Sequence, residues 1–80
     1  MESRTEKPVG QDLMIYDAAE DSVRILNPTA RLVLEQRRAG SGPEAIEAAL
    51  RARFAVVPGQ DVAGDVARIL GELRAQGLVD

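Results

Sequence analysis

The apolar positions change their period once along this chain. Between Leu13 and Leu26 they form two short clusters, Leu13-Met14-Ile15-Tyr16 and Ser22-Val23-Arg24-Ile25-Leu26, on either side of the polar stretch Asp17 to Asp21. Two such runs around a loop of about 3 to 5 residues predict a β-hairpin. Alternation puts Val23 and Ile25 on one face of the second strand and Arg24 and Leu26 on the other, with Leu26 turning inward only because the strand ends there. After Leu26 the spacing becomes helical. Asn27 suits the cap position, and Pro28 suits the first helical position, where its missing N–H would be unpaired anyway. A helix is therefore predicted from Pro28 to about Arg38, burying Ala30, Val33 and Leu34 and exposing Arg31, Glu35 and Arg38.

Ala39-Gly40-Ser41-Gly42 breaks that helix. For the next one, Ser41 and Glu44 stand at capping-box spacing, with Gly42-Pro43 as the alternative cap. Ile46, Ala49, Leu50 and Phe54 form its apolar stripe, and Pro58-Gly59 marks a connector. The third helix is capped by Asp61 and carries Val62, Val66, Ile69, Leu70 and Leu73 on one face. Gly77 as a left-handed stop would bring Leu78 against Leu73. Met1 to Gly10 is polar and contains Pro8 and Gly10, so residues 1–11 read as a flexible arm or weak first strand and residues 12–80 as the domain. The predicted fold class is α+β: an N-terminal β-hairpin or three-stranded sheet followed by three helices, similar to a winged helix-turn-helix with its strands placed first.

Composition narrows the chemistry. Eighty residues form one domain with a thin core, burying roughly 60 to 65% of the unfolded surface. The absence of cysteine and histidine removes thiolate chemistry, classical zinc sites and the commonest general base, and no carboxylate pair stands out among the 13 acidic residues. No catalytic residue, metal or cofactor is expected. A net charge of −3 disfavours phosphate neutralisation, so nucleic acid is not the expected partner. A DNA-binding winged helix is the alternative function, but Arg51 and Arg53 are offset by Glu44 and Glu47, and Arg68 and Arg74 by Asp61, Asp65 and Glu72. Gly40-Ser41-Gly42-Pro43 lacks the strand, spacing and lysine of a phosphate loop and reads as helix punctuation. Arg37-Arg38 reads as a pair offsetting the negative pole of a helix end. With no signal peptide or membrane span in sight, the expected location is the cytoplasm. Ser22 to Leu26 carries two open readings: a protected edge with Arg24 pointing out as gatekeeper, or a template for another extended chain, a second copy of the protein included.

The order of Leu26-Asn27-Pro28-Thr29-Ala30, Gly42-Pro43, Ile46, Leu50, Phe54, Asp65-Val66, Leu70, Leu73 and Gly77-Leu78-Val79 resembles the PqqD family, the small peptide chaperones also described as precursor-peptide recognition elements. The resemblance runs from about Asp12 to Asp80. It implies three strands and three helices, with a leader peptide added as an extra strand between the third strand and the third helix. Carried onto this chain, it implies peptide contacts at Ser22, Val23, Arg24, Ile25, Leu26, Asp65, Arg68, Ile69 and Glu72. Strand N–H and C=O groups would supply affinity, Ile69 an apolar floor, and Arg24, Asp65, Arg68 and Glu72 charge selectivity. The implied partners are a precursor peptide and a modifying enzyme such as a radical-SAM maturase or leader peptidase. The longer N-terminal pattern of the quinone-cofactor chaperones is missing, which points to another pathway, such as lasso peptides or a radical-enzyme system.

Overall fold

The computed structural model describes residues 4–79. Three strands, β1 (Arg4–Val9), β2 (Asp12–Asp17) and β3 (Ser22–Leu26), precede three helices, α1 (Pro28–Arg38), α2 (Pro43–Arg53) and α3 (Val62–Ala75). This is the expected α+β order. The chain divides into two compact units, one ending at Arg31 and the other beginning at Leu32, so that α1 belongs to both.

The first unit is an antiparallel sheet in the order β1-β2-β3. Residues 4–9 are a full strand, paired from Arg4 opposite Asp17 to Val9 opposite Asp12. Pro8 is tolerated because β1 is an edge, where a missing N–H costs no ladder bond. Gly10, at φ 60°, opens the two-residue turn into β2, the position where such hairpins favour glycine. The β2–β3 loop is held by its own side chains: Asp17 Oδ1 accepts from the N–H groups of Ala19 (3.0 Å) and Glu20 (3.3 Å), and the Tyr16 hydroxyl donates to Asp21 Oδ1 (3.3 Å). Asp17 also pairs with Arg4 of β1 at 3.4 Å. At the strand-to-helix junction, Asn27 Oδ1 accepts from Ala30 N–H at 2.8 Å, the cap foreseen from sequence. Arg31 was expected to be exposed but is half-buried, because its guanidinium donates to the Asp12 carbonyl at 3.1 Å.

In the second unit α2 packs on α3, with Ile46 and Leu50 of α2 and Val62, Val66, Ile69, Leu70 and Leu73 of α3 all buried. α1 buries Leu32 as well as Val33 and Leu34, a wider stripe than expected, while Ala30 in the first unit is only half-buried. The capping box at Ser41 and Glu44 does not form. Gly42 is the N-cap, its carbonyl accepting from Ile46 N–H at 3.0 Å, and the Ser41 hydroxyl is engaged with Gln36 Oε1 at 3.1 Å. α1 stops with Gly40 N–H on the Arg37 carbonyl and Ser41 N–H on the Gln36 carbonyl, each at 3.0 Å. α3 is capped by Asp61, whose carboxylate accepts from Gly64 N–H at 2.9 Å. It ends as predicted, with Gly77 at φ 72° and the Leu78 N–H on the Leu73 carbonyl at 2.9 Å.

These ends give opposing stability predictions for α3. Asp61→Ala, which loses the cap, and Gly77→Ala, which forces a Cβ into the left-handed region, should each destabilise the protein by about 1 kcal/mol. Gly71 has open space around it inside the helix, so Gly71→Ala should stabilise by roughly 0.5 to 1 kcal/mol. Urea denaturation of the three variants checks both signs.

Candidate functional site

Cross-strand partners share a face of the sheet, so the register sorts every side chain. On one face Leu13 lies opposite Leu26 and Ile15 opposite Arg24; Leu13, Ile15 and Leu26 are buried and Arg24 is half-buried. On the other, Met14 lies opposite Ile25 and Tyr16 opposite Val23. Val23 and Ile25 are 57% and 58% exposed. Two expectations are therefore corrected. Arg24 does not point out as a gatekeeper, and Leu26 is buried because its whole face is the enclosed one, not because the strand ends there.

Among the described residues β1 and β3 each pair with β2 alone, but they differ in the side chains they carry along the outer edge. β1 carries Glu6, Lys7 and Pro8, the residue types that discourage further pairing. β3 offers Val23 and Ile25 beside an open main chain. In an antiparallel strand with one neighbour, alternate residues spend their N–H and C=O groups on that neighbour and the rest direct them away. Among the described residues the Arg24 side chain has no hydrogen bond or ion pair. Ser22 Oγ is enclosed without a partner on the same face.

The expected helix residues sit together on α3 in the second unit. Arg68 bridges Glu72 at 3.2 Å and Asp65 at 3.8 Å, and Asp65 also accepts from the Gln60 side-chain amide at 3.2 Å. Ile69 is buried, 6% exposed, with Val66, Leu70 and Leu73. Arg37 and Arg38, in the last turn of α1, line an open cavity of about 330 Å³ with Leu78 and Val79. Sequence reasoning names Val23 and Ile25 but misses Met14 and Tyr16, which continue their row across β2, although period-two reading across both strands of the hairpin contains the signal. Among the described residues no cluster of three or more His, Cys, Asp or Glu side chains forms a metal-binding group, and no helix is long and apolar enough to cross a membrane.

Two solved structures share this fold. One is described as TbiB1 in complex with the TbiA(beta) leader peptide, with a TM-score of 0.76 and 16% identity, covering 100% of this chain and 92% of that one. The other is a lasso peptide synthetase B1 complexed with the leader peptide, with a TM-score of 0.76 and 20% identity, covering 94% of this chain and 87% of that one. No curated protein matches the sequence. The family model described as coenzyme PQQ synthesis protein D (PqqD) matches residues 13–79, well over half of the 80 residues, and the chain belongs to the PqqD family.

Proposed function

We propose that this protein is a non-catalytic adaptor that captures the leader segment of a ribosomally made precursor peptide by adding it as a strand to β3, and presents the rest of the precursor to a separate modifying enzyme. The observation that carries this reading is the contrast between the guarded edge at β1 and the unguarded, aliphatic edge at β3. Main-chain pairing would supply most of the affinity, because each residue of an extended guest offers one donor and one acceptor whatever its side chain. The leader peptides held by both structural relatives support the same reading. Absence of histidine and cysteine leaves the chain short of the usual acid–base and nucleophilic groups, which suits a carrier. Tethering the precursor raises its concentration at a bound enzyme into the mM range for short linkers.

Ser22, Val23, Arg24, Ile25 and Leu26 are the proposed strand contacts, chiefly through main chain. Asp65, Arg68, Ile69 and Glu72 of α3 are proposed as the helix contribution. The modifying enzyme belongs to a peptide-maturation pathway, and a cytoplasmic setting fits a precursor fresh from the ribosome.

Titrating the ¹⁵N-labelled chain with the precursor peptide encoded beside its gene should move the amide signals of residues 22–26 and of residues 62–75. Unmoved β3 signals at saturating precursor would overturn the proposal. Ile25→Pro should weaken capture if that residue's N–H faces the guest, with circular dichroism confirming that the sheet survives. Affinity should change by less than about threefold between about 50 and about 200 mM salt, whereas a protein gripping several phosphates would lose roughly a thousandfold. Isothermal titration across that range separates peptide capture from the DNA-binding alternative.

A further inference from the structure

The guest's own sequence can be read from the faces of β3. A strand added beside β3 places each of its side chains on the same face as the residue opposite, so three consecutive guest residues meet Val23, Arg24 and Ile25 in turn. Two of these meet exposed aliphatic side chains that continue the rows already formed by Tyr16 with Val23 and by Met14 with Ile25. The one between them meets Arg24, which is half-buried, lies opposite the apolar Ile15 and has no ionic or hydrogen-bonding partner among the described residues. A guanidinium partly withdrawn from water and without a counter-charge favours a carboxylate more strongly than a fully solvated one does.

We propose that β3 selects an extended peptide bearing the triplet apolar–acidic–apolar, with the apolar pair on the exposed face against Val23 and Ile25 and the carboxylate on the opposite face against Arg24. This specificity rests on the strand-addition reading above and narrows it to a chemical class of guest. The main chain provides the pairing and the triplet provides the register. A guest slipped by one residue sets its carboxylate against an aliphatic side chain and an apolar side chain against Arg24, losing both contacts at once.

The test uses capped synthetic decapeptides with a central Val-Glu-Val in a polar frame, compared with Thr-Glu-Thr, Val-Gln-Val, Val-Lys-Val and the register-broken Glu-Val-Val. Dissociation constants come from amide shifts of the full chain. Val-Glu-Val should bind tightest, with the Thr-Glu-Thr and Val-Gln-Val peptides about threefold to tenfold weaker. Arg24→Gln should erase the preference for Glu over Gln and leave that for Val over Thr. The double variant Val23→Thr/Ile25→Thr, which keeps β-branched residues in the strand, should do the reverse. If the panel moves residues 22–26 with equal affinities, or if only the precursor moves them, the triplet is overturned while strand addition stands. If neither the panel nor the precursor moves them, strand addition itself fails. A concentration-dependent doubling of mass in sedimentation that the double variant abolishes would assign the aliphatic face to a second copy of the chain and overturn the proposal.

Discussion

The register of β2 against β3 is the constraint on which the rest depends. Hydrophobic sorting alone would favour the opposite choice: a slip of one residue would carry Val23 and Ile25 to the face of Leu13 and Ile15 and put Arg24 outside. Local chemistry opposes the slip. Asp17 gathers the loop N–H groups of Ala19 and Glu20, Asp21 adopts φ 49°, a left-handed conformation that aspartate tolerates better than most residues, and Tyr16 closes over it. At the far end, Leu26 must hand the chain to the Asn27 cap and Pro28. With both ends pinned, Val23 and Ile25 stay more than half exposed, forgoing on the order of 1 kcal/mol each of burial. A local rule broken at the edge of the sheet is consistent with the strand-addition role proposed for β3, since folding and function can make different demands there.

The features legible in the sequence were those set by local chemistry. Asn27, Asp61 and Gly77 each do what their residue type permits at a helix end, and the α3 stripe from Val62 to Leu73 is buried throughout. The hairpin was legible for the same reason. β1 was not fully legible, because Arg4–Val9 owes its strand to pairing with β2: charges and a proline give it no intrinsic preference, and Gly10 marks the turn only once Val9 and Asp12 are seen as partners. Ser41 misled because its spacing to Glu44 fits a box, whereas the hydroxyl serves Gln36 one residue ahead of the true cap. The faces of β3 were misjudged because residues within one strand show alternation but not which side is enclosed. The buried pair Leu13 and Ile15 decides that from the neighbouring strand.

Small size limits how the edges of the sheet can be covered. A three-stranded sheet has two edges, and with few residues to cover them a protein must either guard an edge or use it. β1 is guarded by side chains that cost little, since Glu6, Lys7 and Pro8 lie on exposed positions. β3 pairs only with β2 among the described residues, and its pairing groups are already fixed in extended geometry, so a guest of the proposed kind would lose its own chain entropy while the host lost little.

In the proposed capture, charge selectivity, as distinct from affinity, would rest on Arg24 rather than on α3. On the helix, Arg68 already shares Asp65 and Glu72 at i,i+3 and i,i+4, with side chains 61%, 39% and 57% exposed. Exposed pairs of this kind contribute little in water, and an arriving charge must displace a partner to gain a similar one. Among the described residues Arg24 has no such competitor, and its half-burial keeps screening water partly away. A guanidinium with no partner among the described residues, beside two exposed aliphatic side chains, would read a guest position by position, whereas on the helix the one arginine is already shared by two carboxylates. The discriminating power proposed for the edge would therefore follow from the same register that left Val23 and Ile25 in water.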